Sequence, residues 1–201
     1  MAEARRIAAA AQGPARRTVV VGGSAGAPAA LMKLLAALDP DLDAGVVIVV
    51  HLGADSPDML PTILDTASSL PVVLAGERHP VVSGLVHVAP SGYHLLVDRD
   101  RNFALSVDDK VCCSRPSIDV LFNSAAEAYS AALAGVLLTG ASGDGAEGLR
   151  RIRELGGLAL VQDPAEAEVE TMPRAALALA GADLCAPVSV LAARINGFGR
   201  R

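Results

Sequence analysis

Short apolar runs alternate along the chain with breaks rich in glycine, proline and small polar residues. Thr18 to Val21 is a β-branched run that stops at Gly22-Gly23-Ser24-Ala25-Gly26, and Pro28 then opens an apolar-periodic stretch reaching Leu38. This pattern predicts a strand, a tight turn, and a helix with proline in its first turn. Val46 to Val50 is continuously apolar and ends at His51, as expected of a strand covered on both faces. Ser56-Pro57 then reads as the cap and first turn of a helix extending to about Thr66.

The alternation returns in the second half. Ser117 caps a predicted helix through about Tyr129, Leu133 to Leu138 is a buried strand, and the glycine-rich turn from Gly140 to Gly145 leads into a helix ending near Leu155. Leu158 to Val161 is a further strand, with helices from Pro173 to Ala180 and from Pro187 to Ile195. Between the halves lie the short strands Pro71 to Leu74, Leu85 to Val88, Leu95 to Val97 and Ala104 to Val107. Ser-Gly and charged turns between the last three suit antiparallel pairing at a sheet edge. The expected class is α/β: a single domain, mainly a parallel sheet with an antiparallel edge and helices on both faces. Residues 1–17 read as a loose or helical N-terminal tail, 18–195 as the domain and 196–201 as a C-terminal tail.

Composition narrows the picture. The 201 residues carry no evident repeat or long low-complexity linker, which fits one compact domain. Hydrophobic residues make up 52% but aromatics only 2%, so the core must be close-packed Ala, Val, Leu and Ile. A net charge of −5, with no Lys/Arg run interleaved with aromatics, removes the footprint of a nucleic-acid binder. No apolar run approaches the roughly 18 residues that cross a bilayer, so membrane insertion is not expected. Arg5, Arg6, Arg16 and Arg17 surround an apolar patch, Ile7 to Ala11, shorter than a secretory core of about 7 to 15 residues. Cys112, Cys113 and Cys185 do not look like a disulfide framework and are read as buried packing residues in a reducing cytoplasm. No His/Cys cluster has zinc spacing and no Gly-Lys-Ser/Thr loop occurs, so neither a metal nor a cofactor is expected.

Candidate chemistry gathers at three predicted strand ends. Gly22-Gly23-Ser24-Ala25-Gly26 fits G-x-S-x-G between a strand and a helix, where the glycines permit a sharp turn that lifts the hydroxyl. The alternative is a simple strand-to-helix turn with a capping serine. A serine nucleophile needs a base, and His51 ends the next parallel strand, where carboxyl ends of strands line one crevice. His87 lies inside a strand, His79 in a polar loop and His94 at an antiparallel turn, so they compare less well. Asp144, in the turn after Leu133 to Leu138, supplies an acid to orient the imidazole, although an acid there is also a good helix cap. A rival pattern overlaps it: Gly143-Asp144-Gly145-Ala146-Glu147-Gly148 matches the dinucleotide fingerprint G-x-G-x-x-G, with Asp163 further on, but its first glycine stands several residues beyond the strand.

Taken together the motifs resemble the catalytic domain of the chemotaxis protein-glutamate methylesterases. The resemblance covers about Thr18 to Ile195. It rests on the Ser24 turn, His51, Val88-Ala89-Pro90-Ser91-Gly92-Tyr93-His94-Leu95, Ser114-Arg115-Pro116-Ser117-Ile118-Asp119-Val120-Leu121-Phe122, Leu138-Thr139-Gly140 running to Asp144-Gly145-Ala146, Gln162-Asp163 and Met172-Pro173-Arg174. It implies hydrolysis of γ-glutamyl methyl esters, and in many members glutamine deamidation, on the cytoplasmic part of chemoreceptors. Ser24 would be acylated, His51 would act as base and then acid, and Asp144 would orient it. Backbone N–H groups of Ala25 and Ala141 would hold the oxyanion, and Arg115 and Met172 would border the substrate, with a surface ion pair and a helix-start packing residue as their plain alternatives. Two local departures are Gly26-Ala27 for the family's usual Gly-Gly and Ala141-Ser142 for its Met-Gly. The receiver domain commonly fused to these enzymes is not seen, so activity without direct autoinhibition by such a domain is expected. A non-catalytic relative that binds receptors or another partner is the main alternative, and a dinucleotide-binding domain a lesser one.

Overall fold

The computed structural model describes residues 2–51 and 59–200. Seven strands form one sheet: β1 (Thr18–Gly23), β2 (Gly45–Val50), β3 (Val72–Leu74), β4 (Val86–Val88), β7 (Leu133–Leu137), β8 (Leu158–Gln162) and β9 (Leu184–Ala186). Their order is β3-β4-β2-β1-β7-β8-β9, and every pairing is parallel. The remaining two strands, β5 (His94–Val97) and β6 (Phe103–Ser106), make a separate antiparallel ribbon. The chain runs from β1 to β2, on to β3 at the edge and back to β4 between them, then crosses to β7 on the other side of β1. That reversal places a topological switch point at the carboxyl end of β1.

Strand side chains alternate between two cores. Val19 and Val21 enter one with Leu31, Leu34 and Leu35 of α2 (Ala27–Ala36), Leu64 of α3 (Leu60–Asp65), and Leu191 and Ile195 of α7 (Val188–Gly199). Val20, Val47 and Val49 enter the other with Ile118, Leu121 and Phe122 of α4 (Ile118–Tyr129), Leu149 and Ile152 of α5 (Ala146–Glu154), Met172 and Ala176 of α6 (Thr171–Leu179), and the ribbon. Because β1 and β2 bury both faces, their continuous runs of Val and Ile are what two-sided burial requires. Only a glycine at position 22 lets α4 seat this closely, since a Cβ there would collide with the Ile118 side chain.

The α/β class with a mainly parallel sheet stands, with differences in detail. The antiparallel pairing lies in the ribbon, not on the sheet's edge, and Val86–Val88 is a parallel strand between β3 and β2. β9 escapes a pattern reading because it is three residues long and only partly buried. All three cysteines are exposed instead of buried. The expected cap at Ser56-Pro57 lies outside the described residues. Residues ahead of β1, read as a loose or helical tail, include the helix α1 (Ala2–Ala10), and the following backbone is fastened to the body by Gln12 N–H on the Ser83 carbonyl and Ala15 N–H on the Val81 carbonyl. α7 continues past Ile195 to Gly199. Among the described residues, no helix is long and apolar enough to cross a membrane.

Candidate active site

Ser24 and His51 leave adjacent strands at one level, because Gly23 is paired with Val50. Backbone bonds hold both departures: His51 N–H donates to the Gly23 carbonyl at 3.2 Å, and Ser24 N–H to the Thr139 carbonyl, beyond β7, at 3.0 Å. The turn then closes with Ala27 N–H on the Ser24 carbonyl at 2.9 Å. Gly26 caps α2 in the left-handed region at φ 77°, where a side chain would be strained and would also strike Glu168. Ser24 and His51 are half-buried and Ala25 is exposed.

Asp144 precedes α5 and is fully buried. Its Oδ2 accepts from His51 Nε2 at 2.7 Å and from Ile118 N–H at 2.7 Å, and its Oδ1 accepts from the Ser117 hydroxyl at 2.9 Å and Asp119 N–H at 3.0 Å. Burial by itself would raise this carboxyl's pKa. The hydrogen bonds from His51, the α4 backbone and Ser117 outweigh burial and hold it below the ordinary carboxylate value. An ionised carboxylate only accepts, so the His51 proton sits on Nε2 and Nδ1 is left as the basic nitrogen.

The arrangement is reciprocal. Asp144, from the turn before α5, caps the N-terminus of α4, while Asp119, from the first turn of α4, accepts Gly148 N–H of α5 at 2.7 Å. Burial and the neighbouring Asp144 charge push the Asp119 pKa up to about 6 despite the Gly148 bond. Local geometry accounts for the last two glycines of the G-x-G-x-x-G pattern without a nucleotide, since Gly145 sits at φ 96° with Leu137 and Ile118 against it. Gly148 is small because a Cβ would meet Phe122 at 2.5 Å, and an N–H that would face a pyrophosphate is already taken by Asp119. The dinucleotide reading has no support in this geometry.

Other candidates fall differently. Ala25 N–H and Ala141 N–H have no protein acceptor among the described residues, and both residues are exposed. Met172 is wholly buried, with its Sδ and Cε 2.8 Å from where a Gly140 Cβ would stand, and Ser24 Cβ lies 2.9 Å from that same point. Met172 therefore backs the turn beneath Ser24. Arg115 is half-buried and its Nη1 donates to the Val107 and Asp108 carbonyls at 2.7 and 2.9 Å, which pins a loop. His87 is buried in β4, accepts Val82 N–H on Nε2, and is pushed down by burial to about 4, so it stays neutral away from the crevice. The Cys112 sulfur lies within 4.8 Å of the Asp119 and Asp144 oxygens, and partial desolvation together with those two charges raises its pKa, which disfavours the thiolate.

Two residues that the motif reading left without a role now have one. The Thr139 hydroxyl donates to the Ala25 carbonyl at 2.9 Å and accepts Val169 N–H at 2.9 Å, while Thr139 N–H donates to Gln162 Oε1 at 2.8 Å. Both are buried polar residues at the ends of apolar strands, the one signal that could have singled them out. They clamp the Ser24 turn against β7 and β8.

Fold and site together define an open parallel α/β protein with a hydroxyl, an imidazole and a buried carboxylate gathered at the carboxyl ends of its strands, the arrangement of a hydrolase-type crevice. Residues 19–195 match the family described as CheB methylesterase, and the chain belongs to that family. A relative from Leptospira interrogans is 45% identical over 165 residues, covering 82% of this chain and 86% of its own. The protein-glutamate methylesterase/protein-glutamine glutaminase of Symbiobacterium thermophilum is 38% identical across 90% of this chain but only 50% of its own length. The crystal structure of the Thermotoga maritima CheB methylesterase catalytic domain superposes with a TM-score of 0.87 at 29% identity, covering 90% of this chain and 97% of that one.

Proposed function

We propose that the protein is a protein-glutamate methylesterase acting on the cytoplasmic, methylated region of chemoreceptors, with Ser24, His51 and Asp144 as its catalytic set. The observation that carries this reading is the 2.7 Å bond from His51 Nε2 to a fully buried Asp144, next to a serine leaving the adjoining strand. His51 Nδ1 removes the Ser24 proton as Oγ attacks the γ-carbonyl of the glutamyl ester. The oxyanion is received by the unengaged N–H groups of Ala25 and Ala141. Imidazolium, stabilised by Asp144, passes its proton to the departing methoxide, so methanol leaves and an acyl-serine remains. Water, deprotonated by the same nitrogen, then releases glutamate. A glutamine side chain follows the same course with ammonia leaving.

Met172 forms the floor of this site, and Arg115 shapes its rim by holding the 107–108 loop. Like its substrate's cytoplasmic region, the enzyme works in the cytoplasm. Methanol release from methyl-labelled chemoreceptor membranes tests the reading. Replacing Ser24 by Ala should lower turnover by about five to six orders of magnitude. Near-normal release from the variant would reduce Ser24 to a turn residue.

A further inference from the structure

His94 is an imidazole that the reaction above leaves unused. It is carried by the ribbon, outside the main sheet, and is 1% exposed. Both ring nitrogens are engaged. Ser117 N–H donates to Nδ1 at 3.1 Å, so Nδ1 carries the lone pair, and Nε2–H must donate to the Asp109 carbonyl at 3.0 Å. Ser117 is the N-cap of α4 in extended conformation, at φ −103° and ψ 141°, so its N–H lies outside the helical ladder. His94 is the acceptor that keeps this buried donor satisfied.

Ser117 is also where the orientation of Asp144 begins. Three of the four donors to that carboxylate, the Ser117 hydroxyl, Ile118 N–H and Asp119 N–H, belong to consecutive residues, and the fourth is His51. The Ser117 backbone therefore sets the place from which all three donors start. We infer that His94 is a positioning residue of the active site: by accepting Ser117 N–H it sets the first turn of α4, which aims Asp144 at His51. This rests on the reading of Asp144 as the orienting carboxylate. An apolar side chain could fill the same volume, but it could not hold the Ser117 peptide in one orientation. The two polar contacts at opposite ends of the ring therefore separate positioning from simple packing.

The test compares three full-length variants on methyl-labelled receptor membranes, with Ser24→Ala alongside. His94→Asn can present an amide oxygen near the place of Nδ1, whereas His94→Gln reaches toward the Asp109 carbonyl and His94→Leu offers neither. Leu and Gln variants should lose roughly 10- to 100-fold in kcat with KM within about twofold, the scale of a small misalignment at a reacting group. The Asn variant should recover to within about fivefold of the parent. The low-field proton resonance of the His51–Asp144 bond should persist in Asn and broaden or move in Gln and Leu. Should the Leu protein fail to fold, the order of Asn above Gln decides. A Gln variant equal to or better than Asn, or a folded Leu variant with parental kcat and an unmoved resonance, overturns the inference while a dead Ser24→Ala leaves the underlying reading standing. Activity surviving in Ser24→Ala overturns both.

Discussion

The two walls of the crevice are built by different means. On the β1–β2 wall, Ser24 and His51 are placed by backbone: a parallel register, two main-chain bonds from neighbouring strand ends, and glycines that admit a tight turn. On the β7 wall, Asp144 is held through its own side chain by donors on distant segments, backbone and side chain alike, reaching 26 residues back to Ile118 N–H and 93 to His51. The first wall stays half-open, as the proposed nucleophile and base require. The second is sealed, and sealing lets a carboxylate keep its charge and direction only because four donors surround it. Reactivity and rigidity are thus assigned to opposite sides of one switch point.

The sharpest way to test that division is to remove one group from each wall and read activity and stability together. Ser24→Ala should abolish turnover while leaving the unfolding free energy within about 0.5 kcal/mol, since the hydroxyl makes no hydrogen bond among the described residues. Asp144→Asn should cost about four orders of magnitude in turnover and also about 2–4 kcal/mol of stability, because an amide nitrogen must face a donor it cannot accept from. Chemical denaturation beside the methanol assay distinguishes the two. A destabilised Ser24→Ala, or an Asp144→Asn as stable as its parent, would erase the contrast.

A smaller effect comes from pH, where the paired carboxyls act in opposite senses. Asp144 titrates lower in the fold than its ordinary 3.8, so its stabilisation is complete above that value and is lost as pH falls through the folded pKa. Asp119 titrates higher, at about 6. Between about 4 and 6 the native state therefore holds a proton that the unfolded chain has released, and stability falls as pH rises across that window. Asp119→Asn still offers Gly148 an acceptor and should lose this slope. It should be more stable than the parent at pH 7 to 8 by something on the order of 1 kcal/mol, and indistinguishable near pH 4. Denaturation midpoints across the range check it.

The two walls also differ in how far they could be read from residues alone. Val46 to Val50 running into His51, and Thr18 to Val21 into a G-x-S-x-G turn, are local patterns whose physical meaning is two-sided burial followed by a functional strand end. The α/β class follows directly, and so do the positions of two of the three proposed site residues. Asp144 could be placed in the right turn, yet its partners could not, since nothing local links Ser117 to a turn 27 residues later. His94 reads from the sequence as a turn residue, because its bond to the α4 N-terminus exists only once the folded chain brings the two together. Gly145 and Gly148 mislead for a related reason: close helix packing and phosphate approach both demand a missing side chain, and spacing cannot tell them apart.

The smallest expected effect lies at the outer margin of the first wall. Arg6 of α1 grips both oxygens of Asp65 at 2.7 Å and the Ser68 carbonyl at 2.9 Å, and Asp65 in turn accepts Val72 N–H at 2.9 Å. The N-terminal helix is thereby strapped across the end of α3 and the start of β3. The guanidinium is 39% exposed, so solvent screens the pair and its contribution is modest. Arg6→Ala should lower stability by about 0.5–1 kcal/mol, or about 1–4 °C in Tm. Turnover should stay within about twofold, under 0.5 kcal/mol of barrier, because His51 is held from the other direction by the Gly23 carbonyl and Asp144. Melting curves and the methanol assay on the same preparation check both. A tenfold fall in turnover with an unchanged melt would show that the strap reaches His51 through α3, and that the first wall is not positioned by its strands alone.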